Sequence, residues 1–432
     1  INRLVLFRFL QGLGGGALLV TSQTIITESY PVEKRGMAQA IYGMGVIVGP
    51  TLGPPLGGFI IDHWSWPYIF YINIPLGIIA ILLTLQFVKS PKYAEKSATR
   101  DIDWGGIALL ALFVGSLQYI LEKGQDDDWF SNNIIVLLTI TAVFGCFFFI
   151  WREMTYRNPV VQLKVLRNGN LRVGTLLSFI MGFGLYGTTF IIPLYTQATL
   201  GWTATQAGLL LLPSSLTTAF MMPLIGRMLQ KGVKQQYLIA IGMGIFFCFC
   251  FWGYKILTPS TSESSFFWML ILRGLGMGLL FIPITTMSLS TLKGRDIGDG
   301  AAFTGMMRQL GGSFGIAAIT TFMARRNMQH RSDLVSKLDT NSLQVQDHVT
   351  ALQHGFISSG KPPNIALQDA YQSIDYAVSK QAAVLSYMDV FLYIGLLFLI
   401  CIPIVLLVKG KKKDKDKNKG KDDDKIDMSN VH

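Results

Sequence analysis

Glycine recurs at every fourth position through Gly45-Val-Ile-Val-Gly-Pro-Thr-Leu-Gly-Pro-Pro-Leu-Gly-Gly58. On a helix, Gly45, Gly49, Gly53 and Gly57 form one stripe without side chains, which lets a second helix approach at backbone distance. Pro50, Pro54 and Pro55 share this apolar run, where they would break a soluble helix. Within a membrane bundle, neighbouring groups re-satisfy the freed carbonyls and the prolines mark a bend. Two readings stand: tight packing alone, or a hinge between helices of a protein that rocks. Gly45, Gly49, Pro50, Gly53, Pro54, Gly57 and Gly58 are the candidate hinge.

Composition favours a membrane protein. Half of the 432 residues are hydrophobic and 15% are charged, against about 25% in soluble chains, and mean hydropathy is +0.42. Eleven apolar runs are long enough to cross about 30 Å of hydrocarbon. They lie near 3–27, 37–61, 69–88, 104–121, 132–151, 173–198, 206–228, 235–258, 266–291, 299–324 and 388–408. The four cysteines fall inside these runs without zinc-site spacing and read as lipid-facing or core thiols.

The net charge of +11 is not a nucleic-acid signal once mapped. Five alternate short loops hold sixteen basic residues, whereas the four loops between them hold only Lys123 and Lys255. The positive-inside rule makes the basic loops cytoplasmic. The C-terminal tail, 409–432, falls on that side. Its lysines are interleaved with five aspartates, the pattern of a solvated tail.

On this topology residue 1 lies outside, although the chain opens on Ile1 and carries no signal peptide. The expectation is an N-terminally truncated fragment. Internal repetition indicates what precedes it. Ala40-Ile-Tyr-Gly-Met44 and Ala302-Phe-Thr-Gly-Met306 each open a span after a basic loop. The span before each carries an early arginine followed by glycines, at Arg8 and Arg273. Two motifs in one order at one period point to parallel halves. Spans one to three then pair with nine to eleven, and three helices are expected before Ile1. Four units follow: 1–89, the remainder of an N-terminal bundle; 90–172, a two-helix insertion; 173–408, a C-terminal bundle including an external loop at 325–387; and the tail.

At this point the residues carry a family resemblance. Gly53-Pro-Pro-Leu-Gly-Gly58 resembles the antiporter signature in the fifth helix of major facilitator superfamily drug:proton antiporters of the fourteen-helix EmrB/QacA type. Arg8, Gln11 and Gly12 are similar to the Arg-x-x-Gln-Gly core of that family's fourth helix. Trp66-Pro-Tyr-Ile-Phe-Tyr-Ile-Asn-Ile-Pro-Leu-Gly77 and Arg308-Gln-Leu-Gly-Gly-Ser-Phe-Gly315 resemble the segments opening the sixth and forming the penultimate helix. The counterpart of the family's loop between helices two and three, Pro223–Gly232, lacks its acidic residue. The resemblance implies an all-α membrane protein of the major facilitator fold, with two parallel-repeat bundles, a two-helix insertion and eleven of fourteen transmembrane helices present. It implies export of amphiphilic drugs or toxic compounds across the bacterial inner membrane in exchange for protons, with a cytoplasmic C-terminus. No cofactor beyond the proton gradient is implied.

Intramembrane charges are costly and functional by default. Arg8, Arg273 and Arg308 are the basic residues within apolar runs. Arg8, Gln11, Gly12 and Gly15 share one helix face, so the guanidinium is expected to meet a partner in the bundle interior; the alternative is snorkelling to the nearer interface. The resemblance associates the arginine matching Arg8 with proton coupling. Arg273 reads equally as functional or structural, and Arg308, beside Gln309, as a structural hydrogen-bonding group. None of the 26 acids lies at the centre of a span. The resemblance puts the coupling acid in the family's first helix, ahead of Ile1.

Candidate substrate contacts are Tyr186, Thr189, Phe190, Tyr195 and Gln197, an aromatic and small polar cluster against apolar walls; helix packing is the plainer reading of the same residues. No metal-ligand cluster, phosphate loop or nucleophile elbow is present, which speaks against an enzyme. A metabolite or siderophore exporter, or a non-transporting receptor or scaffold, remain as alternatives. Within 325–387, apolar residues at Leu367, Ala370, Tyr371, Ile374, Ala377 and Val378 predict an amphipathic helix after Pro362-Pro363. The resemblance implies a periplasmic adaptor and an outer-membrane channel as partners, alongside substrates, protons and lipid, and no nucleic acid.

Overall fold

A computed structural model describes residues 2–31, 34–88, 102–157, 159–292, 295–338 and 342–407. The charged tail and the segment 89–101 lie outside them. The described residues form helices α1 (Asn2–Ser29), α2 (Arg35–His63), α3 (Tyr68–Tyr71), α4 (Asn73–Phe87), α5 (Trp104–Lys123), α6 (Asn133–Thr155) and α7 (Gly169–Ala198). There follow α8 (Ala204–Leu210), α9 (Leu212–Gln230), α10 (Gln235–Ile256), α11 (Glu263–Leu289), α12 (Arg295–Ser336), α13 (Leu343–Ser358) and α14 (Pro363–Leu407). The chain is an all-α membrane protein.

Nine stretches among the described residues are long and apolar enough to cross a bilayer. Each of the eleven runs expected from the sequence is helical, but α2 and α12 are not among the nine. Both are rich in glycine and polar residues, because they face other helices more than lipid. By contrast, α4 is apolar all round and buries no residue, as suits a helix surrounded by acyl chains.

Lipid is as apolar as leucine, so burial alone does not assemble such a bundle; close packing and hydrogen bonds do. The closest contact joins α7 to α12. A Cβ on Gly182 would sit 2.0 Å from the Arg308 carbonyl oxygen, and one on Gly311 2.0 Å from that of Phe179. Around this seam α7, α9, α10, α11 and α14 share one core, in which the Phe246 and Phe398 rings lie 4.3 Å apart. Buried hydroxyls turn back to their own helices: Thr175 donates to the Leu171 carbonyl and Ser288 to that of Ile284. These hydroxyls are thereby satisfied where water is absent.

The expected hinge stripe behaves differently. A Cβ on Gly45, Gly49, Gly53 or Gly57 would have nothing within 4 Å, whereas one on Gly58 would meet the Ala204 backbone at 2.8 Å. A Cβ on Gly43 would lie 2.9 Å from Met222 Sδ. Among the described residues α2 therefore packs on α8 and α9 through Gly36, Gly43 and Gly58, and the every-fourth stripe points away from that contact. The helix continues through Pro50 and Pro54, whose side chains lie outside the described set.

The two-helix insertion is an antiparallel pair. Asp103 caps α5 by accepting from the Gly106 amide at 2.9 Å. Arg152 of α6 reaches the same carboxylate oxygen through Nη2 at 2.7 Å and Nε at 2.8 Å. Asp103 is fully buried and Arg152 partly so; the guanidinium holds the carboxyl below the usual carboxylate range. The pair docks on α12 through a hydrogen bond from Ser313 to Gln118 Oε1 at 2.8 Å.

The segment 325–387 is mostly helical rather than a loop. With 42 and 45 residues, α12 and α14 are about 63 and 68 Å long, roughly twice the hydrocarbon thickness. Beyond the core they are joined by Arg326 and His330, both of which bind Asp389 Oδ2, at 2.6 and 2.8 Å. Helix α14 does start at Pro363. Its buried face differs from the expected one: Ala366 and Ala370 are buried, while Leu367 and Tyr371 are exposed. Small alanines, not the larger apolar residues, allow the close approach.

Candidate functional site

A cavity of about 750 Å³ opens between α1 and α2 on one side and α7, α9, α11 and α12 on the other. Its walls draw on both repeat-bearing spans, with Gly45 and Val46 directly after the first motif and Ala302, Gly305 and Met306 within the second. The stripe residues Gly45 and Gly49 thus line the cavity instead of carrying a helix.

Two guanidinium groups face this space. Arg273 of α11 is 4% exposed. It donates from Nε to Thr188 Oγ1 at 2.9 Å, from Nη1 to Ser214 Oγ at 3.0 Å, and from Nη2 to the Leu185 carbonyl at 3.2 Å and to Thr189 Oγ1. Its partners are neutral, and they tie α11 to α7 and α9. Glycine permits this geometry, since a Cβ on Gly274 would lie 2.2 Å from the Ser214 carbonyl oxygen.

Arg308 of α12 is 9% exposed and stacks over the Phe281 ring at 4.9 Å. Unlike Arg273, it has no hydrogen-bond partner among the described residues. The structural hydrogen-bonding role expected from its neighbour Gln309 is therefore not what the structure shows; Gln309 itself lines the cavity. Tyr186 and Tyr42 lie within electrostatic range of the guanidinium. No aspartate, glutamate or histidine is among the described lining residues.

Of the candidate substrate contacts, Tyr186 and Thr189, three residues apart on α7, line the cavity. Phe190 is one residue further round the helix and does not. Tyr195 belongs to the core: it is 1% exposed, donates to the Thr258 carbonyl and packs against Tyr387 at 5.2 Å. Gln197 is exposed at the end of α7. These two lie more than two turns beyond Tyr186, too far along the axis to reach the same space.

Arg8 lies apart from the described cavity lining. With Gln11 and Gly12 it lies on an exposed face of α1, donating to Gln11 Oε1 at 2.9 Å and covering the Phe70 ring at 4.4 Å. Helix α1 packs chiefly on α2 and α12 among the described helices, and Arg8 meets α3 through the Phe70 ring. The part of α1 that does reach the cavity is further along, at Gly16 and Gln23. Gln23 is buried, and its carbonyl accepts from Thr27, whose hydroxyl accepts in turn from Gln39 of α2 at 2.5 Å. Sequence reasoning passed over Gln23, although a glutamine inside an apolar run is a signal of the same kind as Arg8.

Two bundle segments bearing a repeated motif thus flank an apolar-walled cavity. Residues 2–316 match the Major Facilitator Superfamily. The chain belongs to that superfamily. Fatty acid resistance protein FarB of Neisseria gonorrhoeae is 32% identical over 411 residues, 95% of this chain and 78% of the relative. Multidrug export protein EmrB of Escherichia coli (strain K12) is 33% identical over 341 residues, 78% of this chain and 66% of EmrB. Colistin resistance protein EmrB of Acinetobacter baumannii is 26% identical over 377 residues, covering 87% and 73% of the two chains. The chain thus spans just under two thirds of the Escherichia coli EmrB. Membership in the major facilitator superfamily, with relatives of the EmrB kind, makes it a multi-pass membrane transporter and not an enzyme.

Proposed function

We propose that this transporter exports amphiphilic drugs or toxic compounds across the bacterial inner membrane in exchange for protons. The observation that carries the reading is the cavity. It lies between the two repeat-bearing segments, has apolar walls with a few convergent polar groups, and is within the range that holds a drug-sized ligand, about 300–1,000 Å³. Exchange for protons requires a group that titrates in contact with the pathway. Arg273 and Arg308 are the charges placed to respond to such a group; the carboxylate itself is expected outside the described lining. Fatty acid resistance, colistin resistance and multidrug export in the names of the relatives support a broad amphiphilic class, and leave its charge open.

The test is efflux of fluorescent amphiphiles from cells expressing the gene, with the pH gradient intact or collapsed. Expression-dependent efflux that stops on collapse is expected. Efflux indifferent to the gradient would remove the proton, and no efflux of any amphiphile would remove the reading.

The exposed apolar residues of the extended α12–α14 region, among them Leu367 and Tyr371, support docking of a periplasmic adaptor that leads to an outer-membrane channel. Cysteine cross-linking from Gln368 or Ser373 to a co-expressed adaptor checks this; intact efflux without an adduct at either site would count against it.

A further inference from the structure

We propose that the cavity selects amphiphilic anions, and that Arg308 receives the anionic head group. The proposal rests on reading the cavity as the transport site. Three observations carry it. The lining holds two guanidinium groups and, among the described residues, no carboxylate. The nearest acid earlier on α12, Asp299, is nine residues away, about 14 Å along the helix axis. The described part of the lining therefore carries positive charge alone, which favours an anion beside it.

The second observation separates the two arginines. Arg273 already makes four hydrogen bonds to fixed protein oxygens, so its charge is spread into helices α7 and α9. Among the described residues Arg308 makes none, is nine-tenths buried, and has the Phe281 face beneath it. Burying an unpaired guanidinium is costly, and the cost is offset once an acceptor arrives. A planar fork of N–H groups suits carboxylate, sulfonate or phosphate oxygens in a bidentate pair.

The third observation is the place left for a tail. Beside Arg308 the walls are Leu185, Val46, Phe281 and Met306, together with glycines at 16, 45, 49 and 305 that contribute no side chain. Tyr186 rises next to Arg308 because Gly312 makes room for it: a Cβ there would lie 2.3 Å from the Tyr186 ring. Its hydroxyl offers a second donor to the head group. A charged end on Arg308 and an apolar chain along α1 and α2 can be held together.

The experiment uses the chain in lipid nanodiscs and three diazirine-bearing probes with the same twelve-carbon tail. Their head groups are a sulfonate, an alcohol and a trimethylammonium, all of fixed charge across the working pH. Photolabelling of cavity peptides is scaled to each probe's content of the bilayer. The sulfonate should label the cavity at least about tenfold more than the other two, the worth of one charge-assisted hydrogen bond. Arg308→Gln should bring the three to parity, and Arg308→Lys should restore part of the preference. Equal labelling by all three in the unaltered chain, or a preference for trimethylammonium, would overturn the anion proposal and leave the cavity as an amphiphile site. A sulfonate preference that survives Arg308→Gln would overturn the role of Arg308. Absence of cavity labelling by every probe would defeat the transport-site reading together with the proposal.

Discussion

Arg273 and Thr188 join α11 to α7 through a buried hydrogen bond of 2.9 Å from Nε to Oγ1. It is one of four that hold a charge inside the bundle with no counter-ion among its partners. Arg273→Lys keeps the charge and loses the fork, since a single ammonium cannot reach acceptors spread over α7 and α9. Stability should fall by about 2 kcal/mol, the order of one hydrogen bond to a charged group. The thermal transition of the purified protein in lipid reports it. An unchanged transition would mean that the four contacts contribute little.

The glycines differ in what they do. Gly311→Leu would drive a branched side chain into the Phe179 backbone and should prevent the α7–α12 seam from closing. Gly53→Leu meets open space and should leave the fold intact. Recovery of monodisperse protein distinguishes the two, and loss of folding in Gly53→Leu would show that the stripe is a packing surface after all.

Asp103 and Arg152 predict a pH dependence. The folded carboxyl titrates below its ordinary value of 3.8, so its contribution is complete above that value and is lost as pH falls through the lowered one. Hydrogen exchange of the α5–α6 pair should therefore accelerate on acidification below about pH 4. Asp103→Asn should remove that acid-induced increase.

Asp389 binds Arg326 and His330 at once. Asp389→Asn leaves two donors facing a neutral amide and should loosen α12 from α14 by about 1–2 kcal/mol. Faster proteolysis of α13 and its flanks, with the α7–α12 seam still protected, is the expected sign.

Much of this was legible in the sequence. Run length and the alternation of basic loops pointed to an all-α membrane protein, and the motifs at Arg8, Gly53 and Arg308 to the superfamily. Tyr186 and Thr189 were legible as a pair because they share a helix face. Tyr195 and Gln197 were not separable from them, since a list of aromatic and polar residues carries no axial position. The glycine stripe misled in a physical way: spacing shows which residues share a face, but not whether a helix or a cavity covers it. The contrast between Arg273 and Arg308 was also invisible, because it depends on hydroxyls from α7 and α9 that only the fold brings to one arginine and not the other.

The central claim is that the cavity between the two repeat-bearing segments is the path of the transported molecule. Ala302 lines it, whereas none of the four native cysteines does. Ala302→Cys in the membrane-embedded protein should react with a water-soluble thiol reagent above the unaltered background. An amphiphile that the expressing cells expel should slow that reaction by about tenfold at saturation. A cysteine at 302 that does not react, or reacts at the same rate with the amphiphile present, would contradict the account.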